Sequence, residues 1–299
     1  MIRSQLAKNY ESIQSHIDEV IWDAYKKERP VHKDLFRIEK MTGSVSRSEG
    51  FSGIGYFEEK TESMNGAEDR IYPMYTKTWI PITYSLLLRF SSEAMSDDEL
   101  GVVKRATDGL GSSAVCTQDV IAASVLNTAF TTTGPDGKVL CATDHPIVGG
   151  TWRNRPTNGM ALTRTSLQLA LVDWMDEQKN DNGQKIEVNP AYVVSGASLM
   201  FDAIEILKSV QQPDNATNAI NVIKSDFNLS HVMWKRITNP KYWFIFAKPA
   251  NHYVQVKVRE GFNTVHGVNE ENGTAWTRGE FRQVVGYSAA QGVYGSPGV

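Results

Sequence analysis

The sequence has few cysteines, no long apolar run and almost no charge imbalance. Only Cys116 and Cys141 occur in 299 residues, which excludes a disulfide-stabilised scaffold. Both thiols are predicted to be simple buried groups, with a disulfide or a reactive thiol as the alternatives. The longest apolar runs, such as Tyr242 to Ala247, are too short to cross a bilayer. The N-terminal residues lack the apolar segment of a signal peptide, so we expect a cytoplasmic working compartment and no membrane partner.

Charge also excludes some functions. The formal net charge is -3, and the 31 basic residues are interleaved with 34 acidic ones. A protein that grips DNA through its phosphates needs a basic patch or stripe, and the sequence shows none. The apolar content of 41% is ordinary for a folded protein of one large domain or two modest ones.

Motifs that carry catalysis are missing as well. The sequence contains no phosphate-binding glycine loop and no nucleophile elbow, and its six histidines lack metal-ligand spacing. Asp144-His145 is the nearest approach to an acid–base pair, but adjacent residues seldom face one another. The acidic cluster at Asp97-Asp98-Glu99 is better explained by a helix N-terminus than by a metal. We therefore predict no catalytic, cofactor-binding or metal-binding residue, and a protein that is not an enzyme.

The first 29 residues have the pattern of an amphipathic helix that ends before Pro30. This helix could pack on its own domain, or it could be an arm that lies on a neighbouring molecule, and the sequence does not decide between them. Its apolar residues recur at spacings of three and four, and the first four are interface candidates: Leu6, Tyr10, Ile13 and Ile17, followed by Val20, Ile21 and Tyr25.

The pattern of residues 41–90 predicts a long extension from the body of the protein, most simply a two-stranded hairpin. Its tip is polar and acidic, with Asn65-Gly66 as a turn signal, and its return strand begins near Ile71. From Ile80 to Phe90 apolar residues alternate with others, as in a strand. An isolated hairpin is marginally stable in water, so this one needs a surface to rest on, either in its own chain or in the next subunit. The candidate anchors beneath it are Tyr72, Met74, Tyr75, Trp79 and Ile80.

A long helix is predicted next. Ser96-Asp97-Asp98-Glu99 has the form of an N-cap followed by acids, and helical periodicity continues from Leu100 to about Phe130. Unbroken, such a helix is about 50 Å long, although Gly109 and Gly111 could kink it. After it the sequence predicts a loop from Thr143 to Thr151 and a helix that is capped by Thr163 or Thr165 and ended by Asn182-Gly183. A strand from Ile186 to Val194 and a helix capped by Ser198 follow. From Tyr242 onward the sequence predicts mostly strands. The fold class is α+β.

In this order the parts resemble the major capsid protein of tailed bacteriophages, and more narrowly the major head subunit of Mu-like phages. The resemblance extends over nearly the whole chain and depends on the order and spacing of its motifs. The segments that carry it are Ile80 to Asp98, Asp144-His145-Pro146 with Gly149-Gly150-Thr151, Asn180 to Gln184 with Pro190 to Val194, and Gly286-Tyr287 to Gly295-Ser296.

This resemblance implies five segments: an N-terminal arm (1–40), an extended loop (41–90), a peripheral domain with a spine helix (91–186), an axial domain (187–250), and return strands to the peripheral domain with a C-terminal tail (251–299). It also implies a subunit that self-assembles as pentamers and hexamers into an icosahedral head in the host cytoplasm and becomes part of the virion. The implied partners are further copies of the chain, scaffolding, portal and decoration proteins, and packaged double-stranded DNA without sequence-specific contacts. Because the arm begins near Met1, the scaffold is expected to be a separate protein. The alternative is an encapsulin-type shell that encloses a cargo enzyme.

Overall fold

The computed structural model describes most of the chain and confirms the α+β class. The residues it describes are 16–51, 53–57, 59–60, 62, 68, 71, 73–91, 101–209, 221–269 and 274–299. Among the predictions above, those on Leu6, Tyr10, Ile13, Tyr72, the hairpin tip around Asn65 and the acidic cluster at Ser96–Glu99 lie outside these residues.

The first of two four-stranded sheets joins the two ends of the chain. Its order is β1-β10-β11-β4, with β1 parallel to β10 and the other pairs antiparallel. Strand β10 is central and buried on both faces along its first half, which is why Gln255 and Lys257 are as buried as the valines between them. The strands are β1 (Arg37–Lys40), β4 (Ile82–Phe90), β10 (Val254–Val268) and β11 (Ala275–Tyr287).

Two helices cover one face of this first sheet. Residues 16–27 form α1, and Val102–Asn127 form the long helix α3, with the short α2 (His32–Leu35) between them. Helix α3 is about 39 Å long, shorter than predicted, because it begins after Gly101 rather than directly after the acidic cluster. Gly101 has a φ of 63°, and the first turn of α3 contains no acidic side chain. The core between helices and sheet contains Ile17, Ile21, Leu110, Ala114, Phe262 and Phe281.

The two glycines of α3 lie within one uninterrupted helix, and they differ in their surroundings. At Gly111 a β-carbon would lie 2.3 Å from the carbonyl oxygen of Ile21, because α1 crosses α3 at that point. At Gly109 nothing lies within 4 Å of such a β-carbon. Gly111 therefore sets the close approach of the two helices, whereas Gly109 has no packing role.

Helix α3 is also long and apolar enough to meet a length-and-composition test for a membrane span. More than half of its apolar window is buried inside the protein. Its hydropathy is thus accounted for by the core.

A second sheet, of order β12-β9-β7-β8, organises the rest of the chain. Its centre is β9, which is completely buried and supplies residues to two cores: Phe244 and Phe246 to one, Trp243 and Ile245 to the other. Helices α4 and α5 cover the side of Trp243 and Ile245. The elements are α4 (Arg164–Glu177), β7 (Pro190–Ser195), α5 (Met200–Lys208), β8 (Ser230–Met233), β9 (Trp243–Ala247) and β12 (Val293–Ser296).

Several local predictions are corrected. The predicted loop after Thr143 contains a small hairpin, β5 (His145–Ile147) and β6 (Gly150–Trp152). Helix α4 is capped by Thr163 as predicted, but it ends at Glu177 rather than at Asn182-Gly183. Ser198 does not cap a helix: it lies in a 3₁₀ turn and donates to the carbonyl oxygen of Pro240. Residues 293–296 were expected in a C-terminal tail, and they form a strand that pairs with β9 in the second sheet.

His252 joins the start of β10 to the N-terminal part of the chain. Its Nε2 lies 2.8 Å from the carbonyl oxygen of Leu35, and its Nδ1 accepts from the backbone nitrogen of Val254. Burial lowers the pKa of His252 to about 4, and the nearby charge of Arg37 acts in the same direction. The folded protein therefore keeps this ring neutral at a pH where the unfolded chain protonates it.

We predict that alanine has opposite effects at the two glycines of α3. Gly111→Ala should lower the free energy of unfolding by about 1–3 kcal/mol, because its β-carbon overpacks the crossing with α1. Gly109→Ala should raise it by about 0.5–1 kcal/mol, since alanine is the better helix former and has open space. Urea unfolding followed by circular dichroism measures both. Equal effects at the two positions would contradict the helix crossing.

A second prediction concerns pH. Because the folded-state pKa of His252 is depressed, its contribution to stability is complete above the unfolded value of 6.5 and is lost as pH falls toward 4. The loss amounts to about 3 kcal/mol for a shift of this size. Urea unfolding between pH 7 and pH 4.5 should show a weaker pH dependence in His252→Gln than in the unchanged protein. Parallel pH profiles would show that another group is responsible.

Candidate functional site

The clearest candidate for an interaction surface is a two-stranded hairpin that forms a sheet of its own. Strands β2 (Ser46–Phe51) and β3 (Pro73–Trp79) pair antiparallel, with an irregularity near Glu49. This confirms the predicted hairpin, although its return strand begins at Pro73 and the alternating segment after Ile80 becomes β4 of the first sheet. The described residues that expose large apolar side chains here are Phe51, Ile54, Tyr56, Phe57, Ile71 and Ile80.

The base of the hairpin is fixed to the body by Trp79. This side chain is completely buried, and its Nε1 donates to the hydroxyl of Ser48 on the opposite strand at 2.9 Å. The ammonium of Lys257 lies 4.8 Å from the centre of the Trp79 ring and 3.6 Å from a carboxylate oxygen of Glu39. A cation over an indole face is a favourable contact, and here Glu39 also offsets its charge. The hairpin thus has a firm attachment at one end.

This attachment corrects one of the predicted interface residues. Trp79 lies in the core of its own chain and cannot be an anchor on a neighbour. Ile80, the next residue, is 61% exposed and remains available for contact. Met74 and Tyr75 are half-buried. Burial raises the pKa of Tyr75, and the nearby charges of Asp181 and Asp136 raise it further.

The described part of the N-terminal arm packs on its own domain. Ile17 is buried between α3 and the first sheet, so it is not free for contact with another molecule. Asp18 lies 2.7 Å from Nε2 of His266 and accepts from Thr264 at 2.6 Å, which ties α1 to β10. Of the two alternatives predicted for this helix, residues 16–27 agree with packing on the chain's own domain.

Pairs of residues that could carry catalysis turn out to have structural roles. Asp144 pairs with Lys138, whereas His145 is buried and lies 2.6 Å from Asp136, so the two neighbours do not act together. A serine–histidine contact of 2.9 Å between Ser195 and His231 joins β7 to β8, but Ser195 is completely buried and out of reach of a substrate.

The described residues do not form a metal site, and their two cysteines remain free thiols. Among them, no group of three His, Cys, Asp or Glu side chains is placed to hold a metal ion. Cys141 is buried as predicted, but Cys116 is exposed on α3, and neither forms a disulfide.

Sequence reasoning missed the polar contacts that fix the hairpin and the arm. Lys257 and His266 are separated by more than 200 residues from Ser46 and Asp18, respectively. A charged residue in a strand between valines, as in Val256-Lys257-Val258, was the only signal, and it is equally typical of a solvated strand face.

The two sheets, the long buried helix and the attached hairpin define a tailed-phage major capsid fold. Solved structures agree. The capsid of the cyanophage P-SCSP1u is similar with a TM-score of 0.62 at 11% identity, covering 90% of this chain and 88% of that one. The virus-like particle of Pyrococcus furiosus is similar with a TM-score of 0.57 at 10% identity, covering 94% of this chain and 97% of that one. The capsid of a native GTA particle is similar with a TM-score of 0.57 at 9% identity, covering 89% of this chain and 90% of that one.

The family follows from the sequence. Residues 75–295 match the model of a family described as phage capsid protein, and this range is well over half of the chain. The chain therefore belongs to the phage capsid protein family. No curated protein matches it. Family and fold are those of a structural protein rather than an enzyme.

The two neighbours Trp79 and Ile80 provide a test of the hairpin attachment. We expect Trp79→Ala to lower the free energy of unfolding by about 3–5 kcal/mol, because it removes a fully buried indole. Ile80→Ala should change it by less than about 0.5 kcal/mol, because its side chain is mostly in water. Guanidinium-induced unfolding followed by tryptophan fluorescence and circular dichroism measures both. A small effect at Trp79 would be inconsistent with its burial.

Proposed function

We propose that the chain is the major capsid protein of a tailed phage, of the Mu-like head group, and that it assembles as pentamers and hexamers into an icosahedral head around double-stranded DNA. The observation that carries this proposal is the hairpin, which is fixed at its base and exposes apolar side chains along its length. A single molecule leaves these side chains in water, and patches of this kind mark interaction surfaces.

The assembly can be described in physical terms. A closed shell requires heterologous contacts, in which one surface of a subunit meets a different surface of the next and the rotation closes. Each contact can be weak because many act together. The second sheet and its helices are proposed as the axial domain at the capsomer centre, and the first sheet with α3 as the peripheral domain. The arm (1–40) and the loop (41–90) would overlap neighbours.

Further partners are part of the proposal. A separate scaffolding protein, a portal and decoration proteins would act with the chain in the host cytoplasm before it becomes part of the virion. The near-neutral net charge argues against a tight grip on DNA phosphates, so the chain would face packaged DNA as a container wall without sequence-specific contacts.

An encapsulin-type shell around a cargo enzyme is the second candidate. The similarity to the Pyrococcus furiosus particle concerns the fold and does not separate the two, whereas the match to the phage capsid family supports the first. Terminase and portal genes beside the coding sequence would support the phage head, and a cargo enzyme gene in their place would support the alternative.

The direct test is size-exclusion chromatography and negative-stain microscopy of the purified protein, alone and with its scaffold. We expect closed particles, tubes or capsomers. A protein that stays monomeric in the presence of scaffold contradicts the proposal.

The loop can be tested separately. Shortening the segment between Glu58 and Arg70 should leave the fold intact, because the hairpin base and both cores lie elsewhere, and should prevent closed shells. Circular dichroism checks the fold and electron microscopy counts the shells. Normal particles from the shortened chain would show that the loop does not join subunits.

A further inference from the structure

A cleft of about 300 Å³ lies between the base of the hairpin and the turn at residues 179–185. The turn meets the hairpin at Gln184, whose side-chain amide lies 2.8 Å from the backbone nitrogen of Tyr56 and 3.0 Å from the carbonyl oxygen of Ile54. The lining combines aromatic rings with polar groups, chiefly Phe51, Tyr75, Asp181, Tyr253 and Gln291.

Gln291 presents an unpaired acceptor in this cleft. Its side chain is 6% exposed, and its Nε2 donates to Asp181 at 3.1 Å and to the carbonyl oxygen of Lys179 at 3.4 Å. These two acceptors fix the orientation of the amide. The Oε1 atom is consequently buried without a partner. A buried carbonyl oxygen without a donor costs about 1–3 kcal/mol, so a donor is expected to be supplied from elsewhere.

Asp181 is the second group in the cleft whose interactions are incomplete, because no positive charge pairs with its carboxylate in the described part of the chain. Within the described residues no lysine or arginine forms an ion pair with it, and its side-chain contact is the neutral amide of Gln291. Burial raises the pKa of Asp181, and the nearby charge of Asp136 raises it further. Glu49 also lines the cleft, so its described lining contains two carboxylates and no lysine or arginine. The site therefore favours a positive charge that brings N–H donors.

We propose that this cleft binds the guanidinium or ammonium group of a basic side chain that belongs to a second copy of the chain. Such a group would donate to the carboxylate of Asp181, beside the side chain of Gln291 that already donates to it. The rings of Tyr75, Tyr253 and Phe51 offer faces for the cation, which suits the planar guanidinium of arginine best.

The location of the cleft supports a second copy as the source. The cleft adjoins the exposed apolar side chains of Phe51, Ile54 and Tyr56 on the hairpin, so one neighbour that covers them also covers the cleft. Every copy carries 31 basic residues, and a heterologous contact can place one of them opposite this acidic site. The inference therefore rests on the proposed function, since it assigns the cleft to a contact between subunits.

The test uses Asp181→Asn, which keeps an acceptor for Gln291 and removes the charge. Asp176→Asn is the matched control, because it removes one charge from an exposed carboxylate that pairs with Lys185 outside the cleft. The melting temperature of the unassembled Asp181→Asn protein should stay the same or rise by about 2 °C, because a half-buried charge without a counter-ion is gone. Its threshold concentration for shell formation should rise about tenfold, as expected for the loss of a paired charge, while the control changes less than twofold.

Two further measurements identify the occupant. Unassembled protein is titrated with acetyl-arginine amide, and the Gln291 side-chain signals in NMR should shift in the unchanged protein and not in Asp181→Asn. A cryo-electron microscopy map of assembled shells should show a basic side chain of a neighbouring copy next to Asp181.

The outcomes separate the two proposals. If the arginine probe binds but no shells form with scaffold, the proposed function fails and the cation site stands. If shells form and Asp181→Asn assembles like the unchanged protein, or the map shows no basic side chain from another copy in the cleft, the inference is wrong. A large fall in the melting temperature of Asp181→Asn would also overturn it, because the carboxylate would then stabilise its own fold.

Discussion

The burial of β9 on both faces is the constraint on which the rest of the structure depends. Five consecutive residues, Trp243–Ala247, have no contact with water, so each face of this strand needs a separate set of partners. Phe244 and Phe246 pack toward α3 and the start of β10, whereas Trp243 and Ile245 pack toward α4 and α5. One strand thereby joins the two cores. Strand β12 closes one side of it, which explains why the end of the chain returns to the second sheet.

A body held together in this way can carry parts that have little stability of their own. In the described part of the chain, the hairpin of β2 and β3 has no third strand in its sheet, and such an element is marginal when isolated. Its stability derives from one end, where Trp79 is buried and Lys257 lies over the indole. Farther along the hairpin, Phe51, Ile54, Tyr56 and Phe57 expose apolar side chains that the surface of another molecule can cover. Subunits that must fit slightly different neighbours benefit from this combination of a rigid body with an adaptable extension.

The sequence predicts elements that depend on local spacing and misses those that depend on distant partners. The periodicity of α3 and the cap at Thr163, one of the two caps predicted for α4, involve residues within a few turns of each other, and the structure shows both. The orientation of Trp79 could not be predicted, because alternation in β3 says only that neighbouring side chains face opposite sides. The buried contacts of Asp119 with His32 and Trp234 span about 90 and 115 residues, and no local pattern indicates them.

A related distinction separates polar groups that are satisfied within the fold from the one that we propose to act in contacts between copies. Asp119 is buried with three hydrogen bonds from His32 and Trp234, and these bonds lower its pKa in spite of the opposing effect of burial. Asp181 is half-buried, and burial raises its pKa because no cation within the described residues faces it. A fold that satisfies one buried carboxylate so fully has the means to satisfy another. The carboxylate that stays unpaired lies beside exposed aromatic side chains of the hairpin, where a partner molecule rather than the chain itself can complete it.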